Sequence, residues 1–516
     1  MPELGFWNLA QREPAVLALV APDGREWSRG ELLAEANRVA HGLRSLGLEK
    51  GDCVAVVLPN CAEFLAIYLA VTQIGVYLTP INHHLTGPEI AYIVKDSGAK
   101  VFVGGAPFAA ECRRARGEIG FLLDRCFAVG TIEGFRPYAQ LAQGQPETLP
   151  EDRSAGTVMN YTSGTTGKPK GVRRGLADLS PDLVFGLMTG FLAMFDLEVE
   201  NDNVHICGSP LYHTAVLVFA GSALHMGHAV VLMDRWQPEA MLDLIEKHRV
   251  THSHMVPTQF HRLLSLPEEI RTRYDVSSLR AMVHAAAPCP VETKWKMLDW
   301  WGPTIYEYYA ATEGGGTLCK PEEWKKHPGT VGKAWTNADV KIFDDEGNEL
   351  PAGEQGTVYM LLGQADFEYK DDREKTRRNR IGNYFTVGDV GYLNDEGYLF
   401  LCDRKNDMII SGGANLYPAE IEAEIIQHPQ VADVAVFGIP NEDWGEEVKA
   451  VVELVDGVEP SDATRDDIFA FLAPRLARMK TPRSIDFIDE MPRDPNGKLY
   501  KRKLRDPYWE GRERAI

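Results

Sequence analysis

The chain has 516 residues, 44% of them hydrophobic and 25% charged, with a formal net charge of −20. That length is more than one hydrophobic core serves, so at least two domains are expected, with the composition of an ordinary globular protein. The negative balance repels nucleic acid and anionic lipid, which argues against either as a standing partner.

The eight cysteines are scattered without a C-x-x-C pair. They read as free thiols of a reducing compartment, not as a disulfide frame or zinc site. Met1-Pro2-Glu3-Leu4-Gly5 has no basic-then-apolar leader, and the longest apolar run, near Leu183 to Phe195, is interrupted by glycines and too short for a bilayer. A cytoplasmic protein without an integral membrane segment is expected. The oligomeric state is left open, a homodimer included.

The first ~150 residues alternate helix and strand signals, the pattern of an α/β sheet. Ser28 is placed to cap a helix that runs through Glu31 to Leu43. Cys53 to Leu58 reads as a buried strand ended by Pro59-Asn60, then a helix from Phe64 to Ile74 and a strand at Val76 to Leu78. Lys100 to Val103 and Ala229 to Met233 repeat the short apolar strand, and Pro238 to His248 reads as an amphipathic helix. From about Gly329, short strands such as Val340 to Phe343 alternate with turns such as Asp345-Glu346-Gly347-Asn348, the texture of a small β-rich subdomain. Asn394 to Tyr398 reads as a hairpin turn.

The most informative stretch is Tyr161-Thr162-Ser163-Gly164-Thr165-Thr166-Gly167-Lys168-Pro169-Lys170-Gly171-Val172. Glycines let backbone N–H groups converge into an anion nest, hydroxyls add donors, and lysines neutralise charge. It reads as a polyphosphate cradle. It is not a Walker A loop, because Pro169 follows Lys168 and the G-x-x-x-x-G-K-[ST] spacing is missing. Three further segments follow: Tyr309-Ala310-Ala311-Thr312-Glu313, then Gly388-Asp389 leading to Asp403-Arg404 and Ser411-Gly412-Gly413, and finally Pro492 to Leu499 with Gly497-Lys498.

Together and in this order, these segments resemble the motifs of the acyl-adenylate-forming family of acyl-CoA synthetases, peptide-synthetase adenylation domains and beetle luciferases. The likeness is strongest to the acyl-CoA synthetase and fatty-acid–CoA ligase branch. It implies an α/β fold with a large N-terminal domain (1–402) of αβαβα subdomains and a small β-barrel-like subdomain. A small mobile α+β C-terminal domain (403–516) follows, with the hinge at Asp403.

The resemblance implies ATP, Mg²⁺ and CoA as reactants and cofactor, with a small carboxylic acid as partner. It gives ATP or AMP binding to Thr162, Ser163, Gly164, Thr165, Thr166, Gly167, Lys168, Lys170, Tyr309, Ala310, Thr312, Asp389 and Arg404. Tyr309 would stack on adenine, Thr312 meet the α-phosphate, and Asp389 accept the ribose hydroxyls. Glu313 and Thr165 would hold Mg²⁺, a hard cation suited to oxygen. Ala310 stands where the family usually has glycine and narrows the pocket floor by one methyl.

Lys498 is the residue assigned to adenylation, because an ammonium offsets repulsion between a carboxylate and the α-phosphate. Thr166, Glu313 and His213 complete the catalytic set. His213 is read as a gate or packing residue, with a general base as the other option. Ser411, Gly412 and Gly413 would admit the pantetheine arm of CoA. The acyl pocket is assigned to Tyr212, His213, Val218, Ala286, Gly314 and Gly315. Leu211 to Ala215 lacks the aspartate that amino-acid adenylation domains carry, and Gly314-Gly315-Gly316 leaves room beside the reacting carbonyl. Both favour a medium or long fatty acid or a bulky alicyclic or steroid side-chain acid, with an aryl acid as a further option. The alternative reading is a stand-alone adenylation enzyme that loads a carrier protein.

Overall fold

The computed structural model describes residues 4–121, 123–162, 169–199, 202–311, 314–361, 368–369, 377, 379–404, 407–412, 414–493 and 499–510. Among them, two large sheets form the body of the chain. One has the strand order Lys333–Ala334, Gly314–Cys319, Ile305–Ala311, Ala281–His284, His252–Met255, Val204–Cys207, Ala229–Leu232, Leu17–Val20, Glu26–Ser28. Its inner pairings are parallel and its margins antiparallel. The other runs Arg136–Pro137, Cys126–Val129, Ala99–Gly105, Cys53–Val57, Tyr77–Pro80, Thr157–Val158 and is parallel throughout.

Cys53–Val57 is buried at every position, as a parallel strand covered on both faces must be. The main core gathers the helices Arg29–Ser45, Ala62–Gln73 and Thr214–Met226 with side chains of both sheets, so these helices form the middle layer. Pro238–His248, Pro257–Leu264 and Val291–Trp301 cover the outer face of the larger sheet, and Gly87–Ser97 and Ala109–Ile119 that of the smaller. The layers are α, β, α, β, α.

Local chemistry sets the boundaries. Ser28 and Glu31 form a capping box, with Ser28 Oγ accepting from Glu31 N and the Glu31 carboxylate accepting from Ser28 N. Pro238–His248 matches the expected helix residue for residue, and the expected strands are found within one or two positions. The apolar run near Leu183 becomes two short helices, Pro181–Met188 and Gly190–Ala193, and no described helix is long and apolar enough to cross a membrane. All eight cysteines are free thiols.

A third sheet, antiparallel, contains Asp339–Phe343, Gly356–Leu361, Arg380–Ile381, Tyr384–Phe385, Asp389–Leu393 and Leu399–Arg404. Beyond it, Val431–Asn441 and Gly445–Leu454 form a long hairpin with Ile409–Ser411, Ala414–Leu416 and Ser484–Ile488, packed on the helices Pro418–Ile425 and Asp462–Leu472. The tail from Leu499 covers this sheet's other face, where Leu499 and Leu504 meet Ala435, Phe437 and Val451.

Candidate active site

The phosphate-loop segment begins and ends on paired strands, with Gly171 opposite Tyr161 and Lys170 opposite Thr162. The helix Gly87–Ser97 braces both: the Tyr161 hydroxyl donates to Asp96 Oδ2 at 2.6 Å, and that of Tyr92 to the Pro169 carbonyl at 3.2 Å. Sequence reasoning missed Asp96 and Tyr92; their helical i, i+4 spacing was the available signal. Ser163, Gly164, Thr165, Thr166, Gly167 and Lys168 lie outside the described residues, as do Thr312, Glu313, Gly413 and Lys498.

Three of the expected nucleotide residues come together. Tyr309, on Ile305–Ala311, donates its hydroxyl to Asp389 Oδ2 at 2.6 Å. Arg404 approaches the other oxygen of the same carboxylate, Nε to Oδ1 at 3.4 Å. Asp389 and Arg404 are register partners on neighbouring strands, and Tyr309 comes from the large sheet. A carboxylate between a phenol and a guanidinium is fixed in orientation, beside a half-buried aromatic face.

The glycines after this strand answer to packing. Gly315 has φ +69, and a Cβ there would come within 3.2 Å of the Leu361 carbonyl. At Gly316 a Cβ would lie 2.4 Å from the Tyr309 carbonyl and 2.6 Å from the Trp335 ring. Trp335, on the Cβ side of Gly316, also meets Phe191 edge-on.

Among the residues expected in the acyl pocket, His213 stands at the N-cap of Thr214–Met226, and Val218 is half-buried on that helix, as are Thr214 and Ala215. The Tyr212 ring lies 4.4 Å from that of His213 and 4.9 Å from that of His83, which stacks on Phe108 at 4.2 Å. Burial and the neighbouring His84 push the His83 pKa down to about 4, so its ring is neutral at pH 7. His83 and Phe108 were not foreseen; a histidine pair just after a buried strand was the hint. Ala286 follows Ala281–His284 with φ +74, a conformation alanine seldom adopts. Nearby, Trp301 is buried, Trp295 meets Trp324 at 5.3 Å, and the Tyr306 hydroxyl donates to Asp196.

In the C-terminal part, Ser411 pairs with Gly445, and Gly412, at φ +58, donates its N–H to the Trp444 carbonyl. Asp403 accepts from Ala419 N at 2.8 Å and Arg404 N at 2.7 Å.

Residues 6–361 match the family model for the AMP-binding enzyme, and residues 420–498 that for the AMP-binding enzyme C-terminal domain. The chain belongs to the AMP-binding enzyme family. It is 33% identical over 511 residues to the long-chain-fatty-acid–CoA ligase FadD13 of Mycobacterium tuberculosis, covering 97% of this chain and 98% of that relative. Identity to the fatty acid–acyl-carrier-protein ligase ScoC of Streptomyces coeruleorubidus is 32% over 519 residues, 98% of this chain and 96% of ScoC. In fold it resembles the anthranilate CoA ligase AuaEII crystallised with anthranoyl-AMP, with a TM-score of 0.85, 26% identity and 98% of each chain covered. As a family member the chain is an enzyme, an acid–thiol ligase of the acyl-CoA synthetase kind.

Proposed function

We propose that the chain joins an apolar carboxylic acid to the thiol of CoA at the expense of ATP. The acid's carboxylate oxygen attacks the α-phosphorus, the bond to the β-phosphate oxygen breaks in line, and pyrophosphate leaves. The CoA thiolate then attacks the carbonyl carbon of the acyl-adenylate and AMP departs. The observation that carries this reading is the convergence of Tyr309 and Arg404 on Asp389, which supports a stacked adenine with its ribose hydroxyls on that carboxylate.

In this reading Lys498 neutralises charge as the two anions approach. The Glu313 carboxylate and Thr165 hydroxyl are hard oxygen donors, a set that suits Mg²⁺, which supplies charge neutralisation for the polyphosphate. The small domain begins at Asp403 and turns there between the half-reactions, presenting the Gly412 loop to CoA. The apolar helix Thr214–Met226 favours a medium or long fatty acid or a bulky alicyclic acid over a polar one. Similarity to ScoC keeps a second acceptor in view, the phosphopantetheine of a carrier protein.

The test is pyrophosphate release with ATP, Mg²⁺ and CoA across acids from acetate through fatty acids to benzoates and bile acids. CoA-dependent turnover on the apolar acids is the expected result. Turnover that ignores CoA but follows an added carrier protein would favour the second acceptor, and none with any acid would overturn the ligase reading.

A further inference from the structure

Segment 494–498, which carries Lys498, lies outside the described residues, but both of its ends are described and both are tied down. Arg493 and Leu499 form an isolated antiparallel bridge, and Tyr500 N donates to the Pro492 carbonyl at 2.8 Å, so the two ends stand side by side. On the leading side, Arg493 makes a two-pronged contact with Asp433, Nε to Oδ2 at 2.5 Å and Nη2 to Oδ1 at 2.8 Å. Asp433 is 6% exposed and sits in register with Glu453 on the next strand, and Glu453 Oε2 accepts from Met491 N at 2.6 Å. On the trailing side, Lys501 Nζ lies 2.8 Å from Glu422 Oε1, which also accepts from Val436 N at 2.7 Å.

We propose that Asp433 and Glu422 are positioning residues for adenylate formation, each fixing one described flank of segment 494–498, to which Lys498 belongs. The inference rests on the role given to Lys498 above. A lysine held between two anions works only if its stem starts from a fixed place, and displacement of about 1 Å costs on the order of 10²-fold in rate. A two-pronged guanidinium–carboxylate pair fixes direction as well as distance. The trailing pair reaches further, because Glu422 belongs to the helix Pro418–Ile425, whose first turn is held by Asp403 through Ala419 N. Burial opposes the charge on Lys501, yet Glu422, Asp403 and Asp407 outweigh it and hold its pKa above the ordinary lysine value. That flank stays charged and paired. From the large domain, His261 faces the same Asp433 and the backbone of Ala432, so domain docking must be separated from loop positioning.

The test separates the two half-reactions in the full chain: ATP–pyrophosphate exchange with the most active acid of the panel, and CoA-dependent consumption of that acid's synthetic adenylate. Asp433→Asn and Glu422→Gln are each expected to slow exchange about tenfold or more through kcat, with adenylate consumption within about twofold of the parent. The double variant Asp433→Asn/Arg493→Gln is expected to be no worse than the poorer single one, the signature of residues acting as one unit. His261→Gln is expected to leave both rates within about twofold. Equal loss of both half-reactions with a lowered Tm would make the pairs merely structural and overturn the proposal. So would unchanged exchange, or the same split in His261→Gln. If Lys498→Ala itself spares exchange, the reading of Lys498 fails instead, which is a distinguishable result.

Discussion

The Tyr309 hydroxyl donates to Asp389 at 2.6 Å across 80 positions of sequence, joining the large nine-stranded sheet to the antiparallel subdomain. The ring proposed to meet adenine and the carboxylate proposed to accept the ribose are thus one unit. Asp389→Ala is expected to raise KM for ATP by about tenfold or more, since it removes the acceptor and frees the ring, a charged hydrogen bond being worth about 1.5–3 kcal/mol. Tyr309→Phe keeps the ring and should cost only a few-fold. Steady-state kinetics with ATP varied would reveal the ranking, and equal losses would refute the shared role.

Gly412 is proposed to serve the CoA half-reaction. A Cβ there would lie 2.4 Å from Trp444 Cε3, and the backbone is at φ +58. Gly412→Leu is expected to slow CoA attack on supplied adenylate at least about tenfold and leave pyrophosphate exchange near the parent rate. Stopped-flow measurement of each step would show it; a loss confined to exchange would contradict the assignment of this loop.

Acid should destabilise the fold through its buried histidines. Burial pushes His205 and His225 down to about 3, and His228 and His254 to about 4, from 6.5. Above pH 6.5 these rings are neutral in both states and contribute no pH dependence. Below it the unfolded chain takes up protons that the folded one refuses, so stability falls from about pH 6.5 down to 4–3, by up to ~1.4 kcal/mol per pH unit per ring. Urea midpoints should hold level from pH 7.5 to about 6.5 and decline from there to pH 5, and a profile flat throughout would show that these rings are not held neutral.

Lys294 and Glu307 form a fully enclosed pair at 2.6 Å, with Lys294 over the Trp324 ring at 4.7 Å. Lys294→Met takes the ammonium from the carboxylate and leaves it beside the neutral His284 ring, Nε2 3.5 Å away; the change is expected to cost roughly 3–5 kcal/mol, much of it recovered by adding Glu307→Leu. Denaturant unfolding of the two variants would decide, and additive losses would count against a coupled pair.

What the sequence made legible follows from range. Helix Pro238–His248 and strand Cys53–Val57 are written in local periodicity and end on local signals, so both were found nearly intact. Tyr309, Asp389 and Arg404 were legible through motif resemblance, although their meeting was not. The pairs Arg493–Asp433 and Lys501–Glu422 had no local mark: Lys501 stands among Arg502, Lys503 and Arg505, and only folding sets it against a carboxylate 79 residues away. The Trp335 ring beside Gly316 had no local mark either, since it comes from a separate turn.

Along Ile305–Ala311 the side chains alternate, so Tyr308 faces away from Tyr309 into Phe191, Phe195 and Phe219, with its hydroxyl 3.1 Å from His254. One peptide unit separates that interior from the residue assigned to adenine. Variation in those rings, during divergence of the lineage or in the hands of an engineer, will therefore not be silent. With Tyr309 proposed to meet adenine, it is expected to alter the demand for ATP.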